Sequence, residues 1–263
     1  MKAGLKTVLA ELKKVDETNV TSVFVPSKAE YVNYKPLTMQ HQKTIIKTAL
    51  DPSATNIDFN ISINKILKSI STGDDILVSD KPAVLIALRA ANVDTKINVE
   101  HEDETISVNL NKILSKYNTL HENSKIKYTD KITYNDLTVK LRVPTLETDT
   151  KFMYECKRYI KKTTTPEDVS GNIGEMYVYE VAKFIDCIQH TTYSDSQSGK
   201  IVNTVLFDQT DVKDCINIVE LLPMKVNKQI SSYITGIRQE ESKYTSVKPE
   251  VDIPTDATLF AID

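Results

Sequence analysis

Glycine is scarce in this chain, at 6 of 263 residues, against a usual share of about 7%. That leaves little material for phosphate-cradling loops or for turns that need a positive φ. Tryptophan is absent, and arginine stands only at Arg89, Arg142, Arg158 and Arg238. The three cysteines, Cys156, Cys187 and Cys215, lie far apart with no CxxC among them. This removes a redox pair and a zinc ribbon, and fits buried thiols in a reducing compartment. No charge of one sign dominates: 33 basic residues face 36 acidic ones, a net of −3. A uniformly basic nucleic-acid binder is therefore excluded, and long-range steering of an anionic partner is not indicated. No run approaches the ~18 apolar residues of a membrane span. The opening MKAGLKTVLAELKKVDE has no long apolar run and no small-residue cleavage site, so no signal peptide is expected.

Catalytic signatures are missing too. The four histidines, His41, His101, His121 and His190, form no HExxH pair and sit in no nucleophile motif. His41, in the first turn of a helix, reads as a surface residue. The acidic run Glu100-His101-Glu102-Asp103-Glu104 lacks the ligand spacing and turn glycine of an EF-hand, and reads as a solvated hairpin tip. Gly171-Asn172-Ile173-Gly174 lacks the Lys-Ser/Thr ending of a phosphate loop. No catalytic, cofactor-binding or metal-ligating residue is nominated, and no cofactor is expected. An enzyme built from scattered acids would need a cleft with strongly shifted pKa values to declare itself.

What is present is a patterned chain of one or two domains by length. Leu5, Val8, Leu9, Leu12 and Val15 recur at helical spacing and predict an N-terminal helical arm over 1–19. Val23 and Val25, a Pro26-Ser27-Lys28 turn, then Tyr31, Val32 and Tyr34 predict a hairpin, ended by Pro36. Thr38 caps a helix to about Leu50, with Met39, Gln42, Ile45, Ile46 and Ala49 as its inner face. Asp51-Pro52-Ser53 breaks it, and Phe59, Ile63, Ile66, Leu67 and Ile70 mark the next helix. A third helix starts near Asp80 with Pro82 in its first turn. Its body, Ala83 to Ala91, is apolar almost all round, which marks a central core helix.

Residues 95–144 read mainly as β. TKINVEH and TISVNLN are one pair of alternating runs. KIKYTDKITY and LTVKLRV are another, joined at Asn135-Asp136, with Leu137, Val139, Leu141 and Val143 as the returning stripe. NKILSKYNTLHEN between the pairs is a short helix or a loop. Helices follow over Met153–Lys162, around Tyr177, Val181, Phe184, Ile185 and Ile188, from Asp211, and after Pro223. HTTYSDSQSGK is a loop tip. From about Tyr244 the periodicity fades into an extended tail. The fold class is α+β: an N-terminal hairpin and helices, central antiparallel β-hairpins, then C-terminal helices. The expected divisions are 1–19, 20–147, 148–244 and 245–263, with the polar Glu147-Thr148-Asp149 as the central boundary.

One ordered set of motifs carries a resemblance. VFVPSKAEYVNYKPLTMQHQKTIIKTAL looks like the "strand, Pro-Ser turn, strand, Pro-Leu-Thr, helix" opening of phage tail-assembly and baseplate hub proteins. SDKPAVLIALRAANVDTKI resembles their Asp–apolar helix–Leu-Arg segment, here Asp80, Leu85, Leu88 and Arg89. LTVKLRVPTLETDTKF resembles their "strand, Arg-x-Pro-Thr" segment, here Arg142, Pro144 and Thr145. Asp211 and the Ile-rich helices behind it complete the order. Over about residues 20–240 the chain is similar to baseplate hub and hub-assembly subunits of T-even-like contractile-tailed bacteriophages. Relatives associated with paired cysteines in the β region differ here: Val99 to Asn109 holds none, so no zinc role carries over.

The resemblance implies a non-enzymatic structural or assembly protein of the tail baseplate, assembled in the host cytoplasm and located in the virion. Its implied partners are other hub or tail proteins and the tape-measure protein, with no nucleic acid and no membrane. Contacts are expected through the first hairpin, the N-terminal helix and the C-terminal tail. The alternative is a transient tail-assembly chaperone that leaves the finished particle.

Overall fold

The computed structural model describes residues 7–8, 10–12, 19–51, 54–101, 104–120, 126–160, 166–193, 200–248, 251–254 and 259. The chain divides into two compact units. One comprises residues 1–76, 80–124 and 241–263, the other residues 77–79 and 125–240. Helices and separate antiparallel sheets make the fold α+β.

In the first unit, β1 (Thr21–Val25) and β2 (Glu30–Tyr34) form the expected hairpin, with Val23 opposite Val32. Val23, Val25, Val32 and Tyr34 are buried. Ala29 closes the turn in the left-handed region, at φ 54°. Two helices follow, each started by a reciprocal side-chain cap. For α1 (Met39–Leu50), the Thr38 hydroxyl accepts from the His41 N–H at 3.4 Å, and the Thr38 N–H donates to His41 Nδ1 at 3.1 Å. For α2 (Asn56–Ile70), Thr55 and Asp58 exchange the same two bonds at 3.4 and 3.0 Å. The end of α2 is stitched to β2, where Lys35 donates to the Ile70 carbonyl and Thr72 to the Asn33 carbonyl.

The centre of this unit is α3 (Lys81–Asn92), which carries Pro82 in its first turn and buries every residue from Ala83 to Arg89. Val84, Leu85, Ile86 and Leu88 are at most 1% exposed, each worth about 1.5–3 kcal/mol of burial. The helix packs on β1 and on α4 (Leu110–Leu120), so NKILSKYNTLHEN is helical where described. β3 (Lys96–His101) and β4 (Glu104–Asn109) pair as expected, with Ile97 opposite Val108. The hairpin tip residues 102–103 lie outside the described residues.

Immediately before α3, Asp80 is buried. Its carboxylate accepts from the Ser27 N–H at 2.9 Å and from the Ser27 hydroxyl at 2.6 Å. The Pro-Ser turn of the hairpin is thereby tied to the start of the core helix.

The second unit is built on one antiparallel sheet in the order β5-β6-β7-β8. Its strands are Thr129–Tyr134, Leu137–Arg142, Ile185–Tyr193 and Lys200–Leu206. Asn135 takes the left-handed conformation at φ 52° in the β5–β6 turn, which its short polar side chain tolerates. Ile132, Val139 and Ile188 stand opposite one another across three strands and are buried. The helices are α5 (Leu146–Tyr159), α6 (Pro166–Lys183), α7 (Val212–Glu220) and α8 (Met224–Thr245). Thr145 caps α5 and Asp211 caps α7.

The structure corrects several expectations. The helix read through Tyr177, Val181, Phe184, Ile185 and Ile188 ends at Lys183, and Ile185 opens β7. The cause is non-local, because β6 requires a partner on its second edge and β7 supplies it. That pairing also brings residues 125–147 into the second unit. Glu147-Thr148-Asp149 is not a linker but the first turn of α5. His190 to Tyr193, expected in a loop tip, belong to β7; residues 194–199 lie outside the described residues, and β8 is a strand where no element is expected. The inner face assigned to α1 is also wrong in part: Ile45 is buried, whereas Met39 and Ile46 are exposed. In the tail, β9 (Ser246–Lys248) pairs with β10 (Val251–Asp252), and Ile253 and Leu259 are buried.

Replacing Asp80 by alanine removes both acceptors of Ser27. Hydrogen bonds to a charged group are worth about 1.5–3 kcal/mol each, so Asp80→Ala is expected to destabilise the chain by about 2 kcal/mol or more. Ser27→Ala, which leaves its backbone bond in place, should cost less. Urea unfolding midpoints of the two variants check the order.

Candidate interaction surfaces

The residues singled out from sequence turn out to be fasteners. Asp80 holds Ser27, and Leu85, Leu88 and Arg89 are buried in α3. The Pro144 carbonyl accepts from the Val78 N–H at 2.9 Å. The Thr145 hydroxyl accepts from the Thr148 N–H at 3.2 Å, and Asp211 accepts from the Lys213 N–H at 2.9 Å. His41 is half-buried and belongs to the cap of α1 rather than standing free on the surface. Gly171 and Gly174 lie within α6, exposed, and form no loop. His121 lies outside the described residues.

Two charged clusters lock the second unit. Arg142 makes a two-pronged contact with Asp208, one bond at 2.5 Å, and reaches Asp186 at 3.3 Å. Asp186 is the extra residue of a bulge in β7, where the register shifts opposite Lys140 and Leu141. Such a bulge re-aims a side chain. The hydrogen bond from Arg142 holds the Asp208 carboxyl below its ordinary value and raises the arginine. In the second cluster, Lys183 donates to Asp149 at 2.7 Å and contacts Glu180 at 2.6 Å, and Arg238 contacts Glu180 at 2.5 Å. Burial pulls the Lys183 ammonium down, but Glu180 and Asp149 together carry it up. The cluster joins α5, α6 and α8.

A shallow groove beside Arg142 is lined by Asp130, Lys131, Lys140 and Asp186; its charges are mixed, and Arg142 is already engaged. Among the described residues no group of three or more His, Cys, Asp or Glu could hold a metal ion. No helix there is long and apolar enough to cross a membrane. The three thiols are buried, and burial pushes Cys156 and Cys215 up to about 11, which leaves them poor nucleophiles.

The surface offers apolar area instead. In the first unit, Met39, Ile46 and Leu50 lie on one stripe of α1, and Met39 and Leu50 are 77% and 76% exposed. The spacing of seven and four residues puts them on one face. Tyr31 is exposed at the first hairpin and packs edge-on against Phe24 at 5.5 Å. Val8 and Leu12 of the N-terminal helical segment are exposed as well. In the second unit, Ile173, Met176 and Tyr177 are exposed on α6, and residues 201–206 of β8 are all exposed. Met and aromatic side chains are enriched in protein interfaces. The α1 stripe was legible as apolar periodicity, but not its outward direction. β8 was missed, and the signal that could have found it is the β-branched run Ile-Val-Asn-Thr-Val.

A family model described as T4 bacteriophage base plate protein matches residues 17–249. No curated protein and no solved structure matches the chain.

Lys183→Met removes the cation facing the buried Asp149 carboxylate, and should cost about 3 kcal/mol, read as a lowered thermal midpoint. Asp208 has a depressed pKa in the folded chain, so its contribution is complete above the unfolded value near 3.8. It is lost as pH falls through the folded value. With Asp208 54% exposed, the pair is worth no more than about 1 kcal/mol. Thermal midpoints measured from neutral pH down to pH 3 should fall less steeply for Asp208→Asn than for the native chain.

Proposed function

The chain belongs to the T4 bacteriophage base plate protein family, and from that premise we propose that it is a structural subunit of the baseplate hub. Membership makes it a structural component of the phage tail, which works against other tail proteins. The observation that carries the reading is the breadth of the family match, which reaches into both compact units. The hub assignment is supported further by the order of the motifs: the Pro-Ser hairpin, the Asp80–Arg89 helix, Arg142-x-Pro-Thr, and Asp211.

The role is non-enzymatic. Caps, clamps and charge clusters fasten the elements within each compact unit, and each unit offers apolar surface to neighbouring subunits. In a contact of this kind, a few buried aromatic, Met and aliphatic anchors supply most of the binding energy. On the first unit those anchors are Met39 and Leu50 of α1, with Tyr31 of the hairpin. The tail contributes less than the sequence suggested, because Ile253 and Leu259 are spent on their own chain.

Quantitative mass spectrometry of purified particles beside crude lysate tests the reading. A hub subunit persists in particles at a fixed, small copy number. Abundance in lysate with absence from particles would overturn the proposal in favour of a chaperone that departs after assembly.

A further inference from the structure

β8 is the edge of its sheet, and among the described strands it pairs with β7 alone. Natural edges are usually guarded by proline, by a bulge, or by charge. β8 has none of these along its middle. Residues 201–206 read Ile-Val-Asn-Thr-Val-Leu, and the register with β7 runs without a shift. Ile201 is 51% exposed and Val202 45%, and Val205 and Leu206 are exposed too. The opposite edge, β5, carries Asp130 and Lys131 in its run.

The backbone on this edge has a symmetry of its own. Phe207 donates its N–H to the Asp186 carbonyl on β7. In an antiparallel ladder the direction alternates residue by residue. Ile201, Asn203 and Val205 therefore bond towards β7, and Val202 and Thr204 present their N–H and C=O groups outward. The Leu206 carbonyl is taken by Gln209 and Thr210. The open donors and acceptors are thus centred on Asn203.

We propose that β8 pairs antiparallel with β8 of a second copy of this chain, about a two-fold axis at Asn203. In that register Val202 stands opposite Thr204 of the other copy, and the two exchange both backbone bonds. The two-fold repeats this, giving four bonds in all. Ile201 stands beside Val205 of the other copy on one face, which continues the apolar row that Val205 ends. That row runs Ile132, Val139, Ile188, Val205 across the sheet. Like charges directly opposite are destabilising, and no charged residue occurs in 201–206. Two four-stranded sheets become one of eight, and both exposed edges are covered at once. This pairing goes beyond the hub assignment and does not depend on it.

The register puts Asn203 opposite its own copy in a non-hydrogen-bonded position, where Cα atoms sit about 4.5 Å apart. That is within disulfide reach. The test is oxidation of the full-length Asn203→Cys chain, with Lys131→Cys on β5 as the exposed control. The native thiols are buried and do not compete. Asn203→Cys is expected to form a covalent dimer about tenfold faster or more than the control, because pairing raises the effective concentration. Adding Val202→Pro removes an outward donor that β7 does not use, and should bring the rate back to the control's while circular dichroism stays unchanged. If that chain fails to fold, Val202→Lys with Thr204→Lys sets lysines opposite each other across the pair and should have the same effect. A rate for Asn203→Cys no greater than the control's would overturn the proposal. So would crosslinking that survives these second changes, or a crosslink only to a different tail protein.

Discussion

Asp80 is a buried carboxylate that must be satisfied, and the first unit is arranged so that Ser27 satisfies it. An unmet charge in that place would be far costlier than an unmet neutral group. The two hydrogen bonds from Ser27 connect residues 53 positions apart. They orient the hairpin on α3, the helix that buries seven consecutive residues. Once that helix is placed, β1 and α4 have a surface to pack on. The same carboxylate, with Asp75, adds to the burial that keeps Tyr34 neutral.

The shortage of glycine has a structural counterpart. None of the described glycines takes a positive φ; the left-handed positions among the described residues are Ala29 and Asn135. Four helices, α1, α2, α5 and α7, begin instead on side-chain oxygens, those of Thr38, Thr55, Thr145 and Asp211. Their C-caps at Asp51, Ser71 and Ile160 are extended rather than left-handed. Side-chain caps of this kind fix where each helix starts. The charge clusters act in the same sense. Lys183 ties α6 to α5 through Asp149, Arg238 ties α8 to α6 through Glu180, and Arg142 clamps the turn after β8 to β6.

Much of this was readable along the chain. The caps, the hairpin turn at Asn135-Asp136, the apolar body of α3 and the breaks at proline are local features. Each is decided by a few neighbouring residues, so composition and spacing reveal it. The motifs of the family resemblance are of this kind, and the structure shows them to be caps and clamps. They told of kinship without marking a surface.

Tertiary structure decided the rest. Phe184, Ile185 and Ile188 fit a helical stripe as well as a strand, and only the unfilled edge of β6 chose the strand. Met39 and Ile46 have the periodicity of an inner face, yet that says nothing about which side another element will cover. The exposure of β8 has the same origin. A β-branched run announces a strand, but whether it lies inside a sheet or at its rim depends on partners remote in sequence. The sequence by itself determined where elements begin, turn and stop, because those are contests between adjacent residues. Which faces stayed bare was left to long-range packing, because burial depends on elements remote in sequence.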